Sequence, residues 1–570
     1  MLTPEQLQNL PQELTDLYDQ LSEFILRDIA RRIAKGAQIT DTAEYQLYRA
    51  RSLGLSTDEI AAKIAEINGS SAAEINRLIR EAAAQSDEFD RKMLGADKGA
   101  AIPLEENTQL QKLISAQIAE TAGKCENLTN TMGFADHDFL GRVYYLSMTD
   151  MYRREMDAAH MKVVTGATDY MTAIRQACNK LAASGVRTID YESGRSDRIE
   201  VAARRALLTS VAHVTHRISE QNGEELGADG WEMSAHSGSR PSHAVYQGRQ
   251  YTQEQYERII KPLISEPNCR HDVFPIILGV SEPVYTEEEL QNIDQPPFTY
   301  EGRTYTAYEA SQQMRKMERA MRKQKDRCIV ADAAGDEESF GPGFADPAPD
   351  AAGDEEAFAT ASIRLNRQKY IYEDFCKAAD SYTEYERTYV TGFNRSIAAR
   401  SGVAAIKKEY KLIASTLDKS AVPSIDDFKK MLYNNSDEYK QLRHQFNEKV
   451  INSDYDDIKH LNGSLSDKVT RQWYVLHDKK IPDMIDRNQS IEDQARQAHA
   501  LRNQFRTNAR DLMLNQDERK WLDKSHPNLT FEEQVDKKMS DKGMTRDEAI
   551  QDILKTASKS NKKVNEKFKL

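Results

Sequence analysis

Residues 14–35 read LTDLYDQLSEFILRDIARRIAK, and their apolar side chains recur every three or four positions. This spacing places the apolar side chains on one face of an α-helix. They are Leu14, Leu17, Leu21, Ile25, Ile29 and Ile33. Gly36 follows, a residue that commonly ends a helix. Because similar spacing recurs through much of the chain, the sequence predicts a mainly α fold with long helices and helical hairpins.

Capping patterns and periodicity predict several further helices. Ser56 with Glu59 and Ser71 with Glu74 match capping boxes, so we expect two helices joined at NGSS, residues 68–71. This pair could be a DNA-binding helix-turn-helix or an ordinary hairpin. A long helical region is expected over 136–183, broken at Gly166 and ended by Gly185, and a second long helix over 197–226.

Strands are expected mainly over residues 231–280, which contain WEMSAH, VYQGRQY and VFPIILGV. FTYEGRTY (298–305) predicts a hairpin around Glu301-Gly302. Thr306 and Glu309 should then cap a helix that reaches about Arg327 and carries Met314, Met317 and Met321 on one side.

Residues 328–363 hold nine Asp or Glu and no Lys or Arg, and DAAGDEE occurs there twice. Such a segment has too few apolar side chains to offset its ordering entropy, so we expect a disordered linker. The predicted organisation is an N-terminal helical region (1–130), a long-helix region (131–228), a small α+β domain with a basic helix (229–327), the linker (328–363) and a helical C-terminal module (364–570).

The chain has 570 residues and a net charge of −13. No run of 18 apolar residues predicts a membrane span, and the polar start is unlike a signal peptide. The acidic balance argues against a nucleic-acid coat, although a local basic patch could bind DNA. The five cysteines lie far apart, which favours reduced thiols.

The densest group of chemically versatile residues lies at 231–276, where zinc is the one cofactor to consider. His236, His243, Cys269 and His271 could form a tetrahedral zinc site, although their spacing is not that of a standard zinc finger. The alternative is that these side chains tie irregular strands together by hydrogen bonds. His213 and His216 share a helical face and could be half a metal site or the border of a core.

Two basic regions and one C-terminal cluster offer further candidates. Trp473, His477 and Asp478, with His460 and the stripe His499, Arg502, Arg506 and Arg510, could support a nuclease or be a solvated helix face. Common phosphate, dinucleotide, zinc-protease and hydrolase motifs are absent. Possible DNA contacts are Arg315, Lys316, Arg319, Arg322 and Lys323 on the basic helix, and Lys562 and Lys563 in the tail.

Four stretches together resemble the phage minor capsid protein 2 family. They are residues 10–35, residues 163–211, SAHSGSRPSHAVYQGRQY (234–251) and NCRHDVFPIILG (268–279), and the resemblance covers about residues 1–330. The RPxHxxxxG and CRHxxxP elements are also similar to Mu F-type head morphogenesis proteins. The matching positions, expected to be structural, are Trp231, Arg240, Pro241, His243, Gly248, Cys269, Arg270, His271 and Pro275.

The resemblance implies a non-enzymatic minor protein of a tailed-phage or prophage head, near the portal and active in head morphogenesis. Its implied partners are the portal or major capsid protein and packaged double-stranded DNA, with no membrane. It would be made in the host cytoplasm and reside in the virion. Relatives have a longer Gly-rich insertion where this chain has only residues 252–268. Mu F-type proteins can also carry C-terminal effectors, so a nuclease-like toxin in residues 364–570 remains an alternative.

Overall fold

The computed structural model shows two compact units. The N-terminal unit comprises Met1–Ala361 and Gln368–Ala399, and the C-terminal unit comprises Ser362–Arg367 and Arg400–Leu570. The structure describes residues 2, 4–95, 102–137, 142–189, 196–266, 269–334, 355–381, 383–433, 437–513 and 529–558.

Long helices form the core of the N-terminal unit. Up to residue 226 they are α1 (Pro4–Asn9), α2 (Gln12–Gln38), α3 (Thr42–Met93), α4 (Thr108–Asn130), α5 (Met148–Val164), α6 (Tyr170–Ser184) and α7 (Ile199–Leu226). α2, α3 and α7 pack against one another. The face predicted for residues 14–35 is buried in this core, apart from the half-buried Leu17. Gly36 does not end α2, because it is itself buried against α3 and α5 side chains.

α3 is one continuous helix of 52 residues, so the two helices predicted to join at residues 68–71, and with them the helix-turn-helix, are wrong. Ser56 and Ser71 are buried and lie inside the helix instead of capping its start. The Ser56 hydroxyl donates to Asp28, and that of Ser71 to the backbone carbonyl of Asn68. These bonds satisfy both hydroxyls without ending the helix.

Four short strands lie among these helices: β1 (Met132–His137), β2 (Val143–Ser147), β3 (Arg187–Ile189) and β4 (Ser196–Arg198). They form a sheet in the order β2-β1-β3-β4 with antiparallel pairs. The helix predicted from residue 136 is therefore wrong at residues 136–137 and 143–147, where cross-strand packing outweighs helix propensity. Gly166 and Gly185 follow the ends of α5 and α6 as predicted, both at positive φ.

A smaller three-stranded sheet follows α7. Its strands are β5 (Gly230–Met233), β6 (Gln250–Thr252) and β7 (Val273–Ile276), in the antiparallel order β6-β5-β7. The strands predicted over 231–280 are thus confirmed. The predicted hairpin is β8 (Phe298–Tyr300) and β9 (Arg303–Tyr305). Short helical pieces complete the domain: α8 (Pro241–Ala244), α9 (Gln253–Gln255), the π turn Tyr256–Ile260, α10 (Lys261–Ile264) and α11 (Glu287–Gln291).

The linker predicted over 328–363 is too long at both ends. α12 (Ala307–Ala333) starts at the expected capping box of Thr306 and Glu309 but continues past Arg327. It does so because the side chains of 328–331 and 333 are buried in the unit. α13 (Glu355–Ala378) begins within the predicted linker, and residues 335–354 lie outside the described residues.

The C-terminal boundary also differs from the prediction, because 368–399 belong to the N-terminal unit. The Tyr372 hydroxyl donates to Glu318 of α12 at 3.0 Å. Phe375 is fully buried and packs edge-to-face against Phe298 and Tyr305 of the hairpin. The predicted boundary at residue 364 therefore assigns residues of the N-terminal core to the C-terminal module.

The C-terminal unit is helical, as predicted. It contains most of α14 (Arg395–Thr416), α15 (Ile425–Tyr433), α16 (Asp437–Asn452), α17 (Tyr455–Ile458), α18 (Asp467–Met484), α19 (Ile491–Leu512) and two further helices, Phe531–Lys542 and Arg546–Ser558. Short 3₁₀ turns span Tyr385–Thr388 in the N-terminal unit and Lys419–Ala421 and Lys459–Leu461 in this one.

The described residues are mainly helical with a few small antiparallel sheets, which confirms the predicted fold class. Among the helices of the described part, none combines the length and apolar character needed to span a membrane.

Candidate functional site

A cleft of about 980 Å³ in the N-terminal unit contains most of the predicted motif residues. Side chains of α2, α7, α12 and the small α+β domain line it, together with residues 381, 383–387 and 389. Its lining includes eight arginines and six acidic residues. We call it the arginine cleft, after Arg204, Arg205, Arg240, Arg270, Arg315, Arg319, Arg322 and Arg387.

The RPxHxxxxG element forms one wall through a turn and a short helix. Pro241 opens α8, where its missing N–H costs no hydrogen bond, and α8 presents the buried His243. Gly248 then turns the chain towards β6 with φ of +67°. A Cβ atom on Gly248 would overlap the Leu290 side chain, so the motif glycine meets both a conformational and a steric requirement.

Trp231 and Pro275 hold the sheet beneath this wall. They face each other across β5 and β7, and β7 is an edge of its sheet, where a proline is tolerated. The Trp231 ring stacks on Tyr256 with centroids 4.2 Å apart. Its indole N–H donates to Gln253 at 2.6 Å. These two motif positions therefore have a packing role.

Three of the four predicted metal ligands meet in the cleft wall. The ligand atoms of His243, Cys269 and His271 all lie within 4.8 Å of one another. Cys269 Sγ lies 3.6 Å from His243 Nδ1 and 3.5 Å from His271 Nδ1. His236 stands beside them, its ring 4.4 Å from that of His271, but it is not part of this group. We call the three residues the His/Cys cluster.

Burial controls the charge of this cluster. Burial, followed by the neighbouring His236 and His243, lowers the pKa of His271 to about 3, so its ring is neutral at physiological pH. Burial also lowers the pKa of His236 and raises that of the Cys269 thiol. The cluster thus combines neutral imidazole with a buried sulfur, which suits a soft divalent metal ion.

Two residues outside the predicted set orient the cluster. Glu266 Oε2 lies 3.2 Å from His243 Nε2 and accepts a hydrogen bond from Arg240 at 2.7 Å. Gln247 Oε1 lies 3.1 Å from His271 Nε2. Sequence reasoning missed both, although Gln247 lies within the RPxHxxxxG element and Glu266 closely precedes Cys269.

The arginines of the cleft are close enough to repel one another. Burial, followed by the charges of Arg387, Arg315 and other arginines, lowers the pKa of Arg204 to about 10. Burial and the charges of Arg315 and Arg387 do the same for Arg270. The sequence offered no local signal for this grouping, because α7, the CRHxxxP element and the 3₁₀ turn near residue 387 are far apart in the chain.

The structure places only some of the predicted DNA-contact residues in the arginine cleft. Arg315, Arg319 and Arg322 line the arginine cleft, whereas Lys316 and Lys323 are not in its lining. Lys562 and Lys563 lie outside the described residues. Of the other candidate pair, His213 is exposed, while His216 packs edge-on to Tyr256. In the described part of the chain, the candidate metal group does not include either histidine.

The predicted nuclease residues are held by packing interactions. His477 is buried, stacks on Trp473 and lies with Nδ1 2.9 Å from the Trp473 carbonyl oxygen. The two carboxylate oxygens of Asp478 accept hydrogen bonds from Nε and Nη2 of Arg502.

The rest of the predicted C-terminal constellation is also placed within the unit. His460 contacts Ser415, and His499 contacts the Leu529 carbonyl. Arg506 is buried in the structure, because α19 packs against α18, so the alternative of a solvated helix face is wrong at this position.

Comparison with known proteins identifies one family. The sequence model of the family described as phage minor capsid protein 2 matches residues 2–375, about two thirds of the chain. Searches of curated proteins and of solved structures find no match. The matched region contains the RPxHxxxxG and CRHxxxP elements that build the cleft wall. The chain therefore belongs to the phage minor capsid protein 2 family and is a minor protein of a phage capsid.

Proposed function

We propose that this protein is a structural component of the phage head near the portal, where it acts in head morphogenesis and in DNA packaging or ejection. It acts without catalysing a reaction. The protein is made in the host cytoplasm and then enters the virion, where it contacts the portal or the major capsid protein. The observation that carries this proposal is the family match, which covers most of the N-terminal unit.

Quantitative peptide mass spectrometry of purified virions and DNA-free heads tests this location. We expect a few full-length copies per particle, with peptides from both units in equal amounts. Chemical cross-linking in the particle should then join lysines of the N-terminal unit to the portal protein. Absence from both kinds of particle would contradict the proposal. Peptides from the N-terminal unit alone would indicate cleavage before assembly.

Packaged DNA is the proposed ligand of the arginine cleft. Guanidinium groups bind phosphate oxygens in pairs of hydrogen bonds, and the cleft lining has eight of them, including one paired with Glu266, against six acidic side chains. Their mutual repulsion would be relieved by an anion. The phosphates of a DNA strand that crosses the cleft mouth would supply this negative charge. Such contacts require no recognition of the bases.

Binding of the full chain to a fluorescent DNA duplex over a range of salt concentrations tests this contact. Arg319→Gln and Arg322→Gln should each reduce the slope of log affinity against log salt by about one. Arg77→Gln is the matched control, because Arg77 is an exposed arginine of the same unit paired with Glu74. An unchanged slope in both cleft variants would contradict the proposal. A chain ending at residue 558 tests Lys562 and Lys563 in the same way.

A nuclease-like effector in residues 364–570 is the second candidate. The observation favouring it is that most of this region forms a separate compact unit beyond the family match. The packing of His477 and Asp478 argues against their use in catalysis. We expect no cleavage of DNA, RNA or tRNA by the full chain with magnesium, manganese or zinc. Cleavage that is lost in His477→Ala would establish the effector instead.

A further inference from the structure

The spacing within the His/Cys cluster matches a metal-bound geometry. Cys269 Sγ lies 3.6 Å from one Nδ1 atom and 3.5 Å from the other. Zinc–sulfur bonds are about 2.3 Å and zinc–nitrogen bonds about 2.0–2.1 Å, so tetrahedral angles place sulfur and nitrogen about 3.5–3.6 Å apart. Both observed separations therefore fit a single zinc ion.

The outer hydrogen bonds of both histidines determine which nitrogen carries a proton. His243 Nε2 faces the Glu266 carboxylate, which can only accept from it when ionised. His271 Nε2 faces Gln247 Oε1, and the backbone N–H of His236 donates to that same atom at 3.2 Å. A backbone donor identifies this atom as the amide oxygen, so Nε2 of His271 is also a donor.

In both rings Nε2 therefore faces an acceptor and Nδ1 faces the sulfur, so each ring in its metal-binding form turns an Nδ1 lone pair towards Cys269. A thiol has one proton and can satisfy one of these two lone pairs. A divalent cation satisfies both, together with the thiolate. The bonds to Glu266 and Gln247 are of the kind that orients histidines around a metal. We propose that His243 Nδ1, Cys269 Sγ and His271 Nδ1 bind one Zn²⁺ ion.

Three protein ligands leave one tetrahedral position for water. Because all three ligands line the arginine cleft, we expect this position to face the cleft. His236 is not a ligand here, since its Nδ1 lies 2.9 Å from the Ser237 carbonyl oxygen and it remains outside the group of three. The site thus has two histidines and one cysteine, with an exchangeable fourth ligand.

Zinc content of the full chain tests this assignment. After removal of metal and reloading with zinc, elemental analysis should give about one ion per chain. Cys269→Ser and His271→Gln should each lower zinc affinity at least about tenfold. His236→Gln is the matched control, because it alters a neighbouring histidine outside the cluster and should keep the wild-type affinity.

Three results would overturn the assignment. They are wild-type protein that remains free of zinc, zinc content unchanged in Cys269→Ser, and an equal loss in His236→Gln. Replacing zinc with cobalt adds a spectroscopic readout: a thiolate-to-cobalt charge-transfer band should appear in the wild type and be absent from Cys269→Ser.

A measurement on the wild-type chain avoids variants that fail to fold. Zinc should slow alkylation of Cys269 by iodoacetamide at least about tenfold, because a bound thiolate is a weaker nucleophile. Peptide mass spectrometry measures the alkylation rate. Magnesium, which prefers oxygen ligands, should have no effect. Equal alkylation rates with and without zinc would overturn the site while leaving the proposed place in the phage head unaffected.

Discussion

At the scale of single residues, substitutions at two glycines distinguish the cost of a strained backbone conformation from the cost of a steric clash. Gly248 and Gly279 have φ of +67° and +73°, but a Cβ atom on Gly279 would have no neighbour within 4 Å. Gly248→Ala should destabilise the small sheet by about 3 kcal/mol, because it adds overlap with Leu290 to the strained φ. Gly279→Ala should reduce the free energy of unfolding by only about 1 kcal/mol. Hydrogen exchange in β5–β7 measures the destabilisation caused by each substitution. Equal destabilisation by both would contradict the role assigned to Leu290.

A buried carboxylic acid should make stability depend on pH. Burial raises the pKa of Asp90 to about 7, even though Ser219 and Asn222 donate hydrogen bonds to it. Because its pKa is higher when folded than when unfolded, its stabilisation is complete below about pH 4 and is lost as the pH rises through about 7.

Asp90→Asn replaces the titrating acid with a neutral amide. It should raise the free energy of unfolding by about 2–4 kcal/mol at pH 8 and change it little at pH 4. Hydrogen exchange of α3 and α7 over this pH range is the measurement. A variant whose stability follows the wild-type pH profile would show that Asp90 does not titrate in this way.

At the scale of elements, α3 and α2 contain glycines with opposite surroundings. Gly69 has open space around it, whereas a Cβ on Gly36 would lie 2.9 Å from Met156 and 3.2 Å from Tyr48. Gly69→Ala should stabilise the protein by about 1 kcal/mol through helix propensity. Gly36→Ala should destabilise it by about 1–3 kcal/mol through overpacking. Hydrogen exchange of the two helices distinguishes these effects, and destabilisation by Gly69→Ala would indicate a break in α3.

At the scale of the whole molecule, the boundary of the N-terminal unit decides which shortened chains can fold. A chain ending at residue 399 should retain this unit, whereas one ending at 363 loses Tyr372 and Phe375 from its core. Loss of a buried phenylalanine side chain alone is worth about 3–5 kcal/mol. Circular dichroism melting should show cooperative unfolding for the longer chain. Equal melting of the shorter chain would contradict the assigned boundary.

Phe375→Ala in the full chain isolates one contact at that boundary. It should destabilise the N-terminal unit by about 3–5 kcal/mol because it leaves a cavity between α13 and the β8–β9 hairpin. Tyr370→Ala is the matched control, since Tyr370 lies on the same helix and is 43% exposed. A similar effect of both substitutions on hydrogen exchange would show that the cavity is not the cause.

The amino-acid sequence alone was enough to predict the features that depend on neighbouring residues. Helical periodicity placed the buried face of α2, capping chemistry placed the start of α12, and the motifs brought His243, Cys269 and His271 into one hypothesis. The three-dimensional structure was needed to show that α3 continues through residues 68–71, to locate β1 and β2, and to show that residues 368–399 complete the N-terminal core. It also separated His236 from the His/Cys cluster and gathered arginines from distant segments into one cleft. These outcomes depend on packing and electrostatic contacts between residues far apart in the chain, which local spacing does not specify.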